Sequence, residues 1–186
     1  MIEAWHFLRQ DGCLNYEPHT LVTVGEPLRV DPPITLCERG LHASVRAIDA
    51  LQYAPGPIVC RVRLDGEIKH GDDKLCATER AVMWMYDATN VLHEFACVCA
   101  ETALLIANVD DPRCWQAIEA KRAWLRGEIG AAQLAAARDA TRAAAWAAAG
   151  NAAWDAARAA ARAAARDAAW AEQNTVFEQM LTEGKP

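Results

Sequence analysis

The sequence predicts an α+β fold, in which a small, mostly antiparallel sheet with packed helices is followed by an alanine-rich helical hairpin. Short alternating or β-branched runs separated by turn dipeptides occupy the first half, which is typical of an antiparallel sheet. Two longer segments with helical spacing follow them. Alanine dominates from Ala131 onwards, and alanine has the highest helix propensity. We therefore expect an α+β domain at residues 1–109 and an alanine-rich helical region at residues 110–186.

The strands are recognised by alternation and by the turns that bound them. Strands are predicted at Ile2–Leu8, Thr20–Val24, Ile58–Leu64, Lys74–Ala77 and Ala81–Met85. In the third of these, Cys60, Val62 and Leu64 alternate with Val59 and two arginines, which indicates one buried and one solvated face. Asp65-Gly66 is a turn dipeptide, and it predicts that the chain reverses there.

The helices are recognised by their capping residues. Ser44 is a suitable N-cap for a helix from Val45 to about Tyr53, which Pro55-Gly56-Pro57 ends. A second helix is predicted from Thr89 to about Ala107 on apolar spacing. A third begins at Asp111-Pro112 and stops at Gly127, because aspartate caps the start and proline suits the first helical position.

The alanine-rich tract carries tryptophan and arginine at a spacing of four residues. A period of four drifts by about 40° per step, so Trp146 and Trp170 are about 240° apart on a straight helix. Two interpretations remain: an antiparallel hairpin broken at Gly150-Asn151, which we prefer because this pair is a good C-cap, or one long helix. The apolar residues of Thr175–Leu181 are expected to dock on the earlier domain.

Composition limits the classes of function. The formal net charge is −6, and the acidic excess belongs to the first two thirds of the chain, which argues against nucleic-acid binding and suits a basic protein surface. The odd count of seven cysteines does not indicate a disulfide framework and favours a reducing compartment. No signal peptide or long apolar run stands out, so we expect a cytoplasmic protein without membrane association.

Three clusters could carry chemistry. His42 lies at a strand-to-helix turn with Ser44, where a small ligand could meet free backbone N–H groups, although local packing also explains it. His93 and Cys97 are one helical turn apart, as in some zinc sites, but their surroundings are apolar. Asp72-Asp73 follows a histidine, yet charged turns of this kind are common. No metal site is predicted.

Two stretches resemble known families. Ala4–Phe7, Cys37–Ser44, Asp49–Gly56 and Asp72–Leu75 resemble an uncharacterised α+β domain family common in phage and prophage genomes. That family has no established activity to carry over. Residues 111–129 are similar to the opening of an alanine-rich helical domain of bacterial immunity proteins.

The order of elements in the first domain is also similar to that of ADP-ribosyltransferases. The resemblance implies an NAD site in which His6 of the first strand holds the nicotinamide ribose. His42 stands where that family has a stacking aromatic residue, and Glu79 is the nearest candidate for its catalytic glutamate. Trp5, Ser44 and Tyr53 would then be ligand-binding residues beside them.

Three hypotheses for function follow. The first is a non-enzymatic accessory protein of a phage or mobile element that acts by binding a protein partner, for example a host defence component. Under this hypothesis it uses no cofactor and self-associates through its helical tail. The alternative is an NAD-using enzyme of the ADP-ribosyltransferase type with His6, His42 and Glu79 as catalytic residues. The third is a structural or immunity role for the helical region.

Overall fold

A computed structural model describes residues 1–16, 18–148 and 170–185. The described chain forms five strands and five helices, which confirms the α+β class with a small antiparallel sheet. It divides into two compact units, Met1–Thr89 with Gln173–Pro186, and Asn90–Glu172. The division at residue 109 stays a prediction about domains, and the proposed hairpin break at Gly150-Asn151 lies outside the described residues.

The sheet is antiparallel in every pairing and nearly closes on itself. Its strands are β1 (Ile2–Leu8), β2 (Pro27–Arg29), β3 (Leu41–Ala43), β4 (Ile58–His70) and β5 (Leu75–Asp87), in the order β1-β4-β5-β2 with β3 also paired to β5. Directly after β3, the Ser44 and Trp5 backbones exchange hydrogen bonds of 2.7 and 2.9 Å. Neighbouring strands are therefore hydrogen-bonded in the succession β1, β4, β5, β3 and back to β1. This closed succession gives the first unit a barrel-like interior.

The prediction of a turn at Asp65-Gly66 is wrong. Gly66 has φ +75° at a register shift between Asp65 and Ile68, so it forms a bulge within β4 rather than the end of the strand. A Cβ atom at this glycine would lie 2.1 Å from Thr78 Oγ1. The chain reverses only after His70, and the two extended segments predicted after Lys74 form the single strand β5.

The predicted strand Thr20–Val24 is also wrong. Leu21 and Val24 each make one isolated bridge, to Cys13 and Val82 respectively, and the segment forms no continuous ladder. The β-branched composition reflects local propensity, which tertiary context overrides here. The edge strand β2 went unpredicted because it begins with Pro27, and a proline beside Gly25 indicates a loop. The structure shows that proline is tolerated here, at the start of an edge strand.

The helices are α1 (Ala47–Gln52), α2 (Thr89–Ile106), α3 (Pro112–Leu125), α4 (Ala131–Ala148) and α5 (170–183). The predicted bounds of α2 and α3 are confirmed. Asp111 caps α3 by accepting a hydrogen bond from the Arg113 backbone, and Gly127 follows its end at φ +73°. Arg122 ties α3 to α2 through ion pairs with Glu94 and Glu101 in the second unit.

The start of α1 corrects the prediction that Ser44 is an N-cap. Ser44 is buried and its backbone pairs with Trp5, and the helix begins three residues later. The first N–H groups of α1 are capped from α5 instead: Ala47 donates to Glu178 Oε1 and Ile48 donates to Asn174 Oδ1, both at 3.1 Å. A cap supplied from so far along the chain leaves no local signal in the sequence.

Helix α5 packs on the outer face of the sheet. Its Phe177 and Leu181 are 0% exposed, and Tyr86 Oη donates to the Leu181 carbonyl at 2.7 Å. The docking predicted for Thr175–Leu181 is therefore confirmed. Val59 is also 0% exposed, so the face of β4 that carries it is not solvated at this position.

Helix α2 is long and apolar enough to cross a membrane by length and composition, and it is the one such helix in the parts of the chain that the structure describes. A single helix of this kind is weak support for a membrane span, because core helices of water-soluble proteins meet the same criterion. The cytoplasmic location stays a prediction.

Candidate functional site

A buried guanidinium lies at the centre of the first unit. Arg80 of β5 is paired with Leu64 in the β4 ladder and is only 2% exposed. Its Nη1 donates to the His42 carbonyl at 2.6 Å, whereas its Nε has no partner among the described residues. No carboxylate within the described ranges lies close enough to form a salt bridge with it. Burial lowers the pKa of Arg80 to about 10, which reflects the cost of holding an unpaired charge away from water.

His6 is the nearest titratable group on β1. It alternates with Trp5 and Phe7, so it shares the interior face with Ala4 and Leu8, and it remains partly exposed. Burial lowers the pKa of His6 well below its ordinary value, and the positive charge of Arg80 and the neighbouring His42 lower it further. His6 is therefore a neutral imidazole at neutral pH, so it can donate one hydrogen bond and accept another.

His42 completes the group from β3. The Cys37 backbone N–H donates to its Nε2 at 3.0 Å, which leaves the proton of the neutral ring on Nδ1. Burial lowers the pKa of His42, a hydrogen bond with the Gly40 backbone raises it, and Arg80 lowers it. Gly40 has φ +135°, and a Cβ there would lie 2.1 Å from Cys76 Sγ, so glycine allows this loop to approach β5.

A second cation extends the group toward the surface. The charge of Lys74 is among those that lower the pKa of His42. Its Nζ lies 4.0 Å from the centre of the Tyr53 ring, and Tyr53 Oη donates to Asp73 Oδ2 at 2.5 Å. Hydrogen bonding with Tyr53 raises the pKa of Lys74, so this ammonium stays charged. The arrangement concentrates positive charge in a chain whose formal net charge is −6.

The predicted site residues separate into groups. His6 and His42 are brought together, and Tyr53 is linked to His42 through Lys74. Ser44 is buried in backbone pairing with Trp5, whose ring lies on the outer face of the sheet. Their roles in a ligand site stay predictions.

Glu79 lies apart from the two histidines. Adjacent strand residues point to opposite faces, so Glu79 faces away from Arg80. Its carboxylate forms a 3.2 Å ion pair with Arg29 on the edge strand. Sequence reasoning missed Arg80 altogether. A signal was present, because Arg80 takes the same face of its strand as Val82, where an apolar residue is expected.

The other two clusters acquire structural partners. His93 packs edge-on against Trp124 with ring centres 5.7 Å apart, and Cys97 is buried. Asp73 accepts a hydrogen bond from the Tyr53 hydroxyl. Within the residues that the structure describes, no three histidine, cysteine or acidic side chains are grouped as metal ligands.

Comparison with known proteins adds one finding. No curated protein and no solved structure matches the sequence. Residues 4–94 match the family model described as a domain of unknown function (DUF7666), a span that contains every residue of the site around Arg80.

Proposed function

We propose that the first unit binds a small anionic ligand, with Arg80 as the charged anchor and His6 and His42 as hydrogen-bonding neighbours. The observation that carries the proposal is the unpartnered Nε of a guanidinium that is 2% exposed. Buried arginines are normally paired with a carboxylate or phosphate, because an isolated charge is costly in an apolar interior.

The chemistry of the neighbours supports an anion that carries oxygen atoms. Guanidinium groups bind phosphate and carboxylate oxygens through two N–H groups at once. A neutral His6 can donate a further hydrogen bond to such an anion without adding a second buried positive charge beside Arg80. Lys74 adds a second cation toward the surface, so a ligand with two anionic groups, such as a diphosphate, fits better than one with a single charge.

The NAD-using transferase is a second candidate, and one observation favours it. His6 and His42, which the resemblance assigns to the nicotinamide end, lie beside Arg80, and NAD carries a diphosphate. Glu79, its expected catalytic acid, is ion-paired with Arg29 on the other face of β5. This arrangement supports binding more strongly than catalysis.

The accessory protein of a phage or mobile element stays a proposal of its own. Binding of an anion and binding of a protein partner are compatible, since one unit can offer two faces. Support for the protein partner comes from the acidic net charge.

The test is titration calorimetry of the full chain with inorganic phosphate, pyrophosphate and NAD at constant ionic strength. We expect pyrophosphate to bind more tightly than phosphate, and Arg80→Met to abolish both. Arg63→Met is the matched control, because Arg63 is an exposed arginine of the adjacent strand. Binding of NAD that depends on Arg80 and His6 would favour the second candidate. Absence of heat with all three anions, or equal loss in both variants, would refute the anion site.

A further inference from the structure

A groove on the outer face of the sheet forms a second candidate site, and it lies opposite the face that holds Arg80. We call it the tryptophan groove; it has a volume of about 540 Å³. Its sheet wall contains Trp5, Trp84, Arg61 and Glu3, and its helix wall contains Glu178 and Glu183 of α5. All of these residues belong to the first compact unit.

Both tryptophan rings already hold a cation. The rings of Trp5 and Trp84 meet edge to face with centres 5.7 Å apart. The guanidinium carbon of Arg61 lies 4.8 Å from the centre of the Trp5 ring, and Lys185 Nζ lies 5.3 Å from that of Trp84. Distances below about 6 Å are those of attractive cation–π contacts. The groove therefore favours positive charge, and an exposed lysine occupies one of its two rings.

Trp5, a residue of the groove wall, carries an unused hydrogen-bond donor. Trp5 is 4% exposed, and its Nε1 has no partner within the ranges that the structure describes. Buried indole N–H groups usually find an acceptor, because leaving the donor unpaired costs free energy. Because Nε1 itself is buried, this donor is enclosed beneath the groove wall.

The charge of the lining points to the same kind of occupant. Three carboxylates, those of Glu3, Glu178 and Glu183, line the groove. Two cations balance them in part: Arg61, which is ion-paired with Glu3 at 3.2 Å, and Lys185 over the Trp84 ring. The excess is negative, as it is for the whole chain. An aromatic wall with surplus carboxylates is suited to an ammonium group.

We propose that the tryptophan groove binds a lysine side chain of a basic peptide segment on a partner protein. The incoming ammonium replaces Lys185 over the Trp84 ring, where the neighbouring carboxylates complement its charge. Because this site lies on the other face of the sheet, it goes beyond the proposed binding of an anion and does not depend on it.

The test follows the indole N–H signals of the full chain by ¹H–¹⁵N NMR while a peptide is added at millimolar concentration. The probe is acetyl-Gly-Gly-Lys-Gly-Gly-amide, and the control peptide carries norleucine in place of lysine. Signals of Trp5 and Trp84 are assigned with Trp→Phe variants. We expect the lysine peptide to shift both signals, and Trp84→Leu to weaken binding at least tenfold.

A second pair of variants separates this role from general destabilisation. Lys185→Met removes the internal competitor, so it should tighten binding of the lysine peptide about two- to fivefold without disturbing the fold. Trp115→Phe is the control, because the Trp115 indole donates to the Val109 carbonyl in the other unit. Equal shifts with the norleucine peptide, or weaker binding in Lys185→Met, would overturn the proposal. If tetramethylammonium binds and the lysine peptide does not, the groove accepts small cations, and the proposal of a peptide partner is overturned.

Discussion

Replacing Arg80 with methionine separates a ligand anchor from a structural arginine. Methionine is shorter than arginine, but it replaces the aliphatic part of the side chain and removes the charge, so most of the apolar space stays filled. Burial lowers the pKa of Arg80 from 12.5 to about 10, and each unit corresponds to about 1.4 kcal/mol. Holding the charge in the folded protein therefore costs about 3 kcal/mol. Removing the charge should therefore stabilise the fold, but losing the hydrogen bond to the His42 carbonyl offsets about 1 kcal/mol of this stabilisation.

We therefore expect Arg80→Met to raise the free energy of unfolding by about 1–2 kcal/mol in buffer free of multivalent anions. The assay is scanning calorimetry of the full chain with and without pyrophosphate. Pyrophosphate should raise the midpoint of the wild type, because a ligand that binds only the folded state stabilises it, and should leave the variant unchanged. Arg63→Met should change stability by less than about 0.5 kcal/mol and keep the response. A variant that loses more than 2 kcal/mol, or that still responds to pyrophosphate, would refute the reasoning.

Three further predictions concern α5 and the interior histidine. Phe177→Ala should lower the free energy of unfolding by about 3–5 kcal/mol in urea titrations, because it empties a fully buried position, while the exposed Gln179→Ala should have little effect. Asn174→Ala removes a cap of α1 and should cost about 1 kcal/mol in the same titrations, and no loss would show that Glu178 suffices. The folded protein lowers the pKa of His6, so the unfolded chain binds the proton first and stability should fall as pH drops below about 6.5. The decline approaches about 1.4 kcal/mol per pH unit for one such histidine, and His6→Gln should flatten it in urea midpoints measured between pH 4.5 and 7.

Local rules explain the elements that were predicted correctly. Strand β1 is a short, mostly apolar run that the Asp11-Gly12 turn dipeptide follows, and α3 carries an aspartate cap and a proline at its start, so neither depends on distant residues. The failures share the opposite property. The caps of α1 come from α5, more than a hundred residues along the chain.

The candidate site was only half predictable for a related reason. His6 and His42 stand beside turn and strand signals that can be read locally. Arg80 resembles any arginine in a strand until the neighbouring strands close around it, because burial and the missing carboxylate are properties of the assembled sheet. The unpartnered Trp5 indole N–H is likewise a property of the assembled fold.

The position of α5 makes the first unit discontinuous, since Gln173–Pro186 complete a body that begins at Met1 and Asn90–Glu172 form an insertion within it. An insertion behaves as a loop whose two ends are held together, and the entropic cost of closure changes by only about 0.6 kcal/mol for each doubling of loop length. The alanine-rich segment can therefore lengthen or shorten among related chains with little penalty to the first unit. By contrast, a fragment that ends before residue 170 loses Phe177, Leu181 and both caps of α1 together. Loss of activity in such a fragment would report unfolding of the first unit as readily as removal of the alanine-rich segment.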